Sequence, residues 1–161
     1  MAGKKDITGL KSTRIVNRKA RHEFHILEIV ECGLELLGTE VKSLRAGQAK
    51  IDDAYARVRN GEVFLVGANI AAYAQAAAGM QHDPARDRKL LLRRRQIGQL
   101  ESHARQKGKT LIPLAVYFKR GWAKCEIGIA EGKRQYDKRE AIKKRQQERD
   151  IARQLGRRRR K

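Results

Sequence analysis

From Gly108 the chain reads GKTLIPLAVYFK, then RGW, then AKCEIGIA, and from Gly132 it continues GKRQYDKRE. The first run is rich in β-branched and aromatic residues. In the second, Cys125, Ile127 and Ile129 alternate with Lys124, Glu126 and Gly128, so a period of two predicts strands joined by a tight turn. After Gly132 the alternation stops and cations dominate to Lys161. A chain written this way closes a β-rich module with a hairpin and then hands over to a basic arm.

The 161 residues suit one domain with an appendage, since a core of about 120 residues buries enough apolar surface to fold alone. Lys and Arg number 38 against 18 Asp and Glu, and residues 133–161 hold 14 of those cations and 4 of the acids. Body and tail therefore each carry +10, and a polyanionic partner is expected to touch both. The chain has no run of 18 apolar residues, and MAGKKDITGLK lacks a signal-peptide core, which predicts a cytoplasmic protein with no membrane partner. Cys32 and Cys125 both fall in strand-like segments. In a reducing compartment they read as buried thiols rather than as a disulfide.

Residues 1–11 are polar and without periodicity, a fraying N-terminus. Phe24 to Cys32 is strand-like, Gly33 permits a bend or bulge, and Leu34 to Leu37 continues the apolar run. Thr39 is placed to cap a short helix over Glu40 to Arg45, with Gly47 as its stop and Val41 and Leu44 facing the core. Ala54, Ala56 and Val58 then alternate with Tyr55, Arg57 and Arg59, and Asn60-Gly61 leads into Glu62 to Val66, a strong hairpin signal. Ala71 to Ala78 reads as a loop carrying Tyr73, punctuated by His82-Asp83-Pro84. Asp87 would begin a helix over Arg88 to Gln106, with Leu90, Leu91, Ile97 and Leu100 as its buried stripe and Arg86, Arg88, Lys89 and Arg93 to Arg95 around it as a cationic exposed face.

Five or six antiparallel strands with one helix between the middle and last hairpins make the fold mainly β with helices. The best fit is a small OB-like β-barrel over residues 12–132 with flanking helices and a basic C-terminal tail. The tail, 133–161, has no Gly or Pro from Lys133 to Leu155, but Ile142, Ile151 and Leu155 form no continuous stripe. It is expected to be disordered when free and helical once phosphates neutralise its Lys and Arg side chains.

The motifs NRKARHEF, GTEVKSLRAG, DPARDRKLLL and GKRQYDKR occur in this order over nearly the whole chain. Together they resemble the small protein B family, the SsrA-binding proteins of bacterial trans-translation. The resemblance implies an OB-like body that binds the tRNA-like domain of transfer-messenger RNA and delivers it to ribosomes stalled on messages lacking a stop codon. It implies a tail that turns helical in the empty mRNA channel, contact with small-subunit rRNA at the decoding centre, and no enzymatic activity, cofactor or metal. Through the charged RNA it also implies alanyl-tRNA synthetase and elongation factor Tu as partners.

Carried over by motif, Asn17, Glu31 and Leu91 match positions used in binding that RNA. Arg18, Lys19, Arg21, Lys42, Arg45 and Lys89 stand in the matching cationic motifs. Lys and Arg suit phosphate, while Asn17 and Glu31 suit sugar or base edges; Leu91 either contacts RNA or packs the helix beneath it. His22 is the candidate for decoding-centre rRNA, together with Gly132, Lys133, Arg134, Tyr136, Asp137, Lys138, Arg139, Lys143, Lys144 and Arg145 of the tail. Tyr136 stands where some relatives carry His, which keeps a stacking role and removes one that needs imidazole.

Rival readings are weaker. HEFH on a strand points His22 and His25 to opposite faces, against a metal site shared with Cys32 or Cys125. His82-Asp83 lacks a nucleophile motif, against a hydrolase. Trp122, in the last hairpin's turn, is placed either to stack on a base or to fill the barrel end. A general single-strand binder would stack bases on aromatic rings, yet aromatics are only 5% of this chain, so reading of folded RNA by shape and phosphate is favoured. A ribosomal structural protein is the remaining alternative.

Overall fold

The computed structural model describes residues 13–77, 79, 81–133 and 146. Its spine is the expected hairpin of β8 (Lys109–Lys119) and β9 (Trp122–Gly132), turned by Arg120 and Gly121 at φ 52° and 83°. β9 pairs on its other side with β2 (Phe24–Leu34), from Phe24↔Gly132 to Gly33↔Lys124. Around these lie β1 (Ile15–Val16), β7 (Arg88–Leu91), β5 (Glu62–Val66) and β4 (Tyr55–Arg59). The antiparallel order is β1-β8-β9-β2-β7-β5-β4, and β3 (Ala49–Lys50) pairs separately with β6 (Asn69–Ile70).

Three helices complete the described fold: α1 (Ala20–Glu23), α2 (Gly38–Arg45) and α3 (Arg94–Ala104). The main core joins inward residues of β2, β5, β7, β8 and β9, among them Cys32, Leu65, Leu90, Leu111, Cys125 and Ile127, with Leu44 of α2 and Leu100 of α3. A second cluster on the opposite face places Ala20 of α1 over Ile112, Leu114 and Ala130. The central strands are thus covered on both sides, which is why Leu111 to Val116 is buried without alternation.

The Asn60-Gly61 hairpin stands as expected: both residues have positive φ, and Tyr55↔Val66 to Arg59↔Glu62 are in register. Cys32 and Cys125 are free and buried, opposite one another in β2 and β9. The Cys32 thiol donates to the Cys125 carbonyl at 3.2 Å, and the Cys32 contact with burial pushes the Cys125 thiol well up.

Four expectations are corrected. The helix expected from Arg88 is two elements, because Arg88 and Leu90 face in while Leu91 faces out, a strand alternation whose inward member is a cation. The irregularity in β2 lies between Ile26 and Glu28, not at Gly33, which stays in the strand where pairing passes from β9 to β7. Helix α2 begins after Leu37, whose N–H is accepted by Glu40 at 2.8 Å; Thr39 instead meets the His82 ring through its hydroxyl at 2.9 Å. The described strands number nine, since β1, β3 and β6 are two-residue pairings too short to leave a pattern. The expected N-terminus and nearly all of the expected tail lie outside the described residues.

Candidate nucleic-acid interface

The NRKARHEF segment forms a corner held from within. Asn17 is 4% exposed; its Oδ1 accepts the Ala20 N–H at 2.9 Å and its Nδ2 donates to the Ile51 carbonyl at 3.1 Å. Both ends of the amide are engaged inside the fold, where Asn17 holds the turn that carries its neighbours. Arg18 donates its N–H to Asp52, and Lys19 pairs with Asp53 at 3.0 Å, an exposed contact that raises the lysine pKa. Arg21 and His22 occupy the last turn of α1. Lys133 is tied to this corner twice: its N–H donates to the Glu23 carbonyl and its Nζ to the Arg21 carbonyl, both at 2.9 Å. Gly132, Lys133 and His22 therefore come together. Arg134, Tyr136, Asp137, Lys138, Arg139, Lys143, Lys144 and Arg145 lie outside the described residues.

Glu31 sits at the other end of β2, opposite Glu126 on β9. Like charges so placed repel, and the surrounding side chains offset this. Arg14 takes Glu126 at 2.7 Å with its guanidinium 4.7 Å from the Tyr117 ring centre, while Glu31 accepts from the Tyr117 hydroxyl at 2.6 Å and from Lys119 at 2.9 Å. The Tyr117 hydrogen bond, then Lys119, holds the Glu31 carboxyl below its ordinary value. Burial, then Glu31, pushes the Tyr117 phenol up. At neutral pH the pair is thus carboxylate and phenol. Sequence reasoning missed Arg14, Tyr117 and Lys119; only the strand register brings them to Glu31.

Beside this cluster runs a cleft of about 580 Å³, whose lining includes Glu31, Gly33, Glu62, Lys89, Leu91 and Lys124. Lys89 pairs with Glu62, which raises its pKa. Leu91 is half exposed on β7 beside Gly33, where a Cβ would stand 3.1 Å from the Leu91 Cβ, and lies outside the buried core. On α2, Lys42 lies over the Tyr73 ring at 5.0 Å and Arg45 over Phe118 at 5.3 Å. The sequence-derived residues thus divide: Glu31, Lys89 and Leu91 share one cleft, and Arg21 and His22 share the corner that Lys133 reaches.

Beneath α2 and β7 lies a charge network that sequence reasoning also missed. Glu40 and Arg88 have no exposed side-chain surface and meet at 2.9 Å, and Arg86 reaches the same carboxylate at 2.6 Å. Arg88 also donates to the carbonyls of Ala68 at 2.7 Å and Pro84 at 2.9 Å. Burial opposes charge on Glu40, but Arg86, the Leu37 N–H and Arg88 outweigh it and hold the carboxyl below its usual value. Among the described residues, no three His, Cys, Asp or Glu side chains cluster to hold a metal ion, and no helix is long and apolar enough to cross a membrane.

The model of the family described as SmpB protein matches residues 14–157. The chain belongs to the SmpB family. The SsrA-binding protein of Salinispora tropica is 54% identical over 88% of this chain and 89% of its own length. That of Gloeobacter violaceus is 51% identical over 94% of this chain and its own full length. A solved chain from "tmRNA-SmpB: a journey to the center of the bacterial ribosome" is 44% identical, covers 80% of this chain and 94% of its own, and superposes with a TM-score of 0.64. The SmpB match runs through both the folded body and most of the basic tail.

Proposed function

We propose that this SmpB-family chain binds the tRNA-like domain of transfer-messenger RNA and brings it to stalled ribosomes for trans-translation. The observation that carries this reading is the similarity, over nine-tenths of the chain and at half identity or better, to proteins named for binding SsrA. The body, 12–132, is the RNA reader, an OB-like barrel; β4 and β8, which are not neighbours in the strand order, have Cα atoms within 8 Å, in keeping with a sheet curled on itself. Lys42, Arg45 and Lys89 serve its phosphates, the Glu31 cluster and Leu91 fix its placement, and Asn17 acts by positioning Arg18, Lys19 and Arg21.

The tail, 133–161, acts on the ribosome, becoming helical as rRNA phosphates neutralise its cations. Lys133, the first residue of that tail, is bonded to the carbonyls of Glu23 and Arg21, which flank His22, in keeping with one rRNA surface meeting both. Alanyl-tRNA synthetase and elongation factor Tu act on the same complex through the charged RNA. The chain works in the cytoplasm, where ribosomes are, and its part is binding and placement rather than catalysis.

Reconstituted translation on a message without a stop codon tests this reading. Full-length protein with aminoacylated transfer-messenger RNA is expected to tag the stalled peptide. A chain ending at Lys133 is expected to bind the RNA but not to tag. Tagging that is independent of the protein would refute the proposal. For the tail, Tyr136→Phe is expected to tag and Tyr136→Ala to fail; equal activity in both removes the stacking role.

A further inference from the structure

Trp122 is the most exposed large apolar side chain of the described fold, at 73%, and the cleft residues above leave it unexplained. It is not loosely held. It opens β9, paired with Lys119 across a two-residue turn whose positive φ angles suit the twist of the hairpin. One side of it faces a groove of about 460 Å³, walled by Leu36, Val41, Leu91 and Phe118, with Lys124 and Glu35 also lining it. Lys124 and Leu91 line the neighbouring cleft as well, so the two depressions share a border.

An apolar groove on a chain of net charge +20 calls for a partner that is anionic and yet carries a flat apolar face. The sequence around the tryptophan, KRGWAK, sets Lys119, Arg120 and Lys124 about it. Lys119 already balances Glu31, which leaves Arg120 and Lys124 as the cations beside the ring. A paired RNA helix offers phosphates and sugars but no free base face, whereas an unpaired nucleotide offers both a phosphate and a stacking surface.

Resting on the RNA-binding reading above, we propose that Trp122 is a stacking platform for an unpaired base of the bound RNA. The base enters the groove between Trp122 and Leu91, and Lys124 meets its phosphate. This accounts for a half-exposed leucine among cations: it supplies the opposite apolar wall.

Trp122 is the sole tryptophan, so its emission reports on the groove directly. Full-length protein is titrated with a transcript of the tRNA-like domain and, separately, with a fully paired RNA duplex, while anisotropy of labelled RNA follows binding independently. The tryptophan emission is expected to fall with the transcript at the anisotropy midpoint and to stay level with the duplex. Trp122→Ala is expected to weaken transcript binding about tenfold, and Trp122→Phe to retain most of it. At 73% exposure neither variant is expected to shift the melting temperature, which is checked alongside.

Full anisotropy binding with unchanged emission and wild-type affinity in Trp122→Ala overturns the stacking site but leaves the RNA-binding reading intact. The stacking site is equally overturned if the duplex quenches as strongly as the transcript, or if Trp122 matters only for a protein partner. Absence of binding in the anisotropy arm overturns the RNA-binding reading itself, and this inference with it.

Discussion

Glu40 of α2 and Arg88 of β7 meet at 2.9 Å with neither side chain exposed, so the helix bearing Lys42 and Arg45 is locked to the strand bearing Lys89 and Leu91 by a fully buried ion pair. Removing one partner strands a charge in the interior, at a cost of about 3–5 kcal/mol. Urea unfolding of Glu40→Gln is expected to show a loss of that order. Glu40→Gln combined with Arg88→Met should lose less than the two single changes added together. Strict additivity would mean that the pair is not coupled. The pH dependence has a defined sign: a carboxyl held below its ordinary 4.5 contributes stability in full above that value, and the contribution is lost as pH falls through the lower folded value.

Glu31 and Tyr117 give a second test on titration alone. With the phenol removed in Tyr117→Phe, the Glu31 carboxyl is expected to titrate closer to 4.5, followed by carboxyl carbon NMR shifts. Lys119→Ala should move it in the same direction, because Lys119 lowers it both by its hydrogen bond and by its charge. No movement in either variant would contradict the placement of these side chains.

The Ser43 hydroxyl is buried in α2 without a hydrogen-bond partner among the described residues. Ser43→Ala removes an unsatisfied polar group and raises helix propensity, so a neutral to about 1 kcal/mol stabilising change is expected in thermal unfolding. A loss above about 1 kcal/mol would show that the hydroxyl is satisfied after all.

Gly33 lies where the Leu91 side chain of β7 crowds β2. In Gly33→Ala the new Cβ meets the Leu91 Cβ at 3.1 Å, and a strand Cβ has little room to move, so a loss of about 1–3 kcal/mol is expected. Adding Leu91→Ala should not restore stability, since the closest contact is the Cβ that alanine retains. Rescue by Leu91→Ala would instead point to the outer leucine atoms as the source of strain.

What the sequence made legible follows from which signals are local. Asn60-Gly61 and the strand alternation around Cys125 report backbone requirements of their own residues, and both hairpins formed as read. Arg88 misled because a buried cation on the inward side of a strand looks like a surface cation on a helix until Glu40, forty-eight positions away, is brought to it. Leu91 misled in the opposite sense, as an apolar residue on the outward side. The contacts of Glu31 and Asn17 were not legible in the motifs: Tyr117 and Lys119 reach Glu31 only across the sheet, and the Asn17 amide bonds to Ala20 and Ile51.

The central claim is that the folded body is the specific RNA reader and the tail acts later. Competition at physiological salt tests it most directly, setting labelled tRNA-like domain of transfer-messenger RNA against excess bulk tRNA, with the full chain and with a chain ending at Lys133. That end point keeps the contacts of Lys133 with Glu23 and Arg21. The account predicts that both proteins hold the labelled domain against the competitor. Loss of binding on truncation, or ready displacement by bulk tRNA, would contradict it and leave a generic polycation-assisted RNA binder.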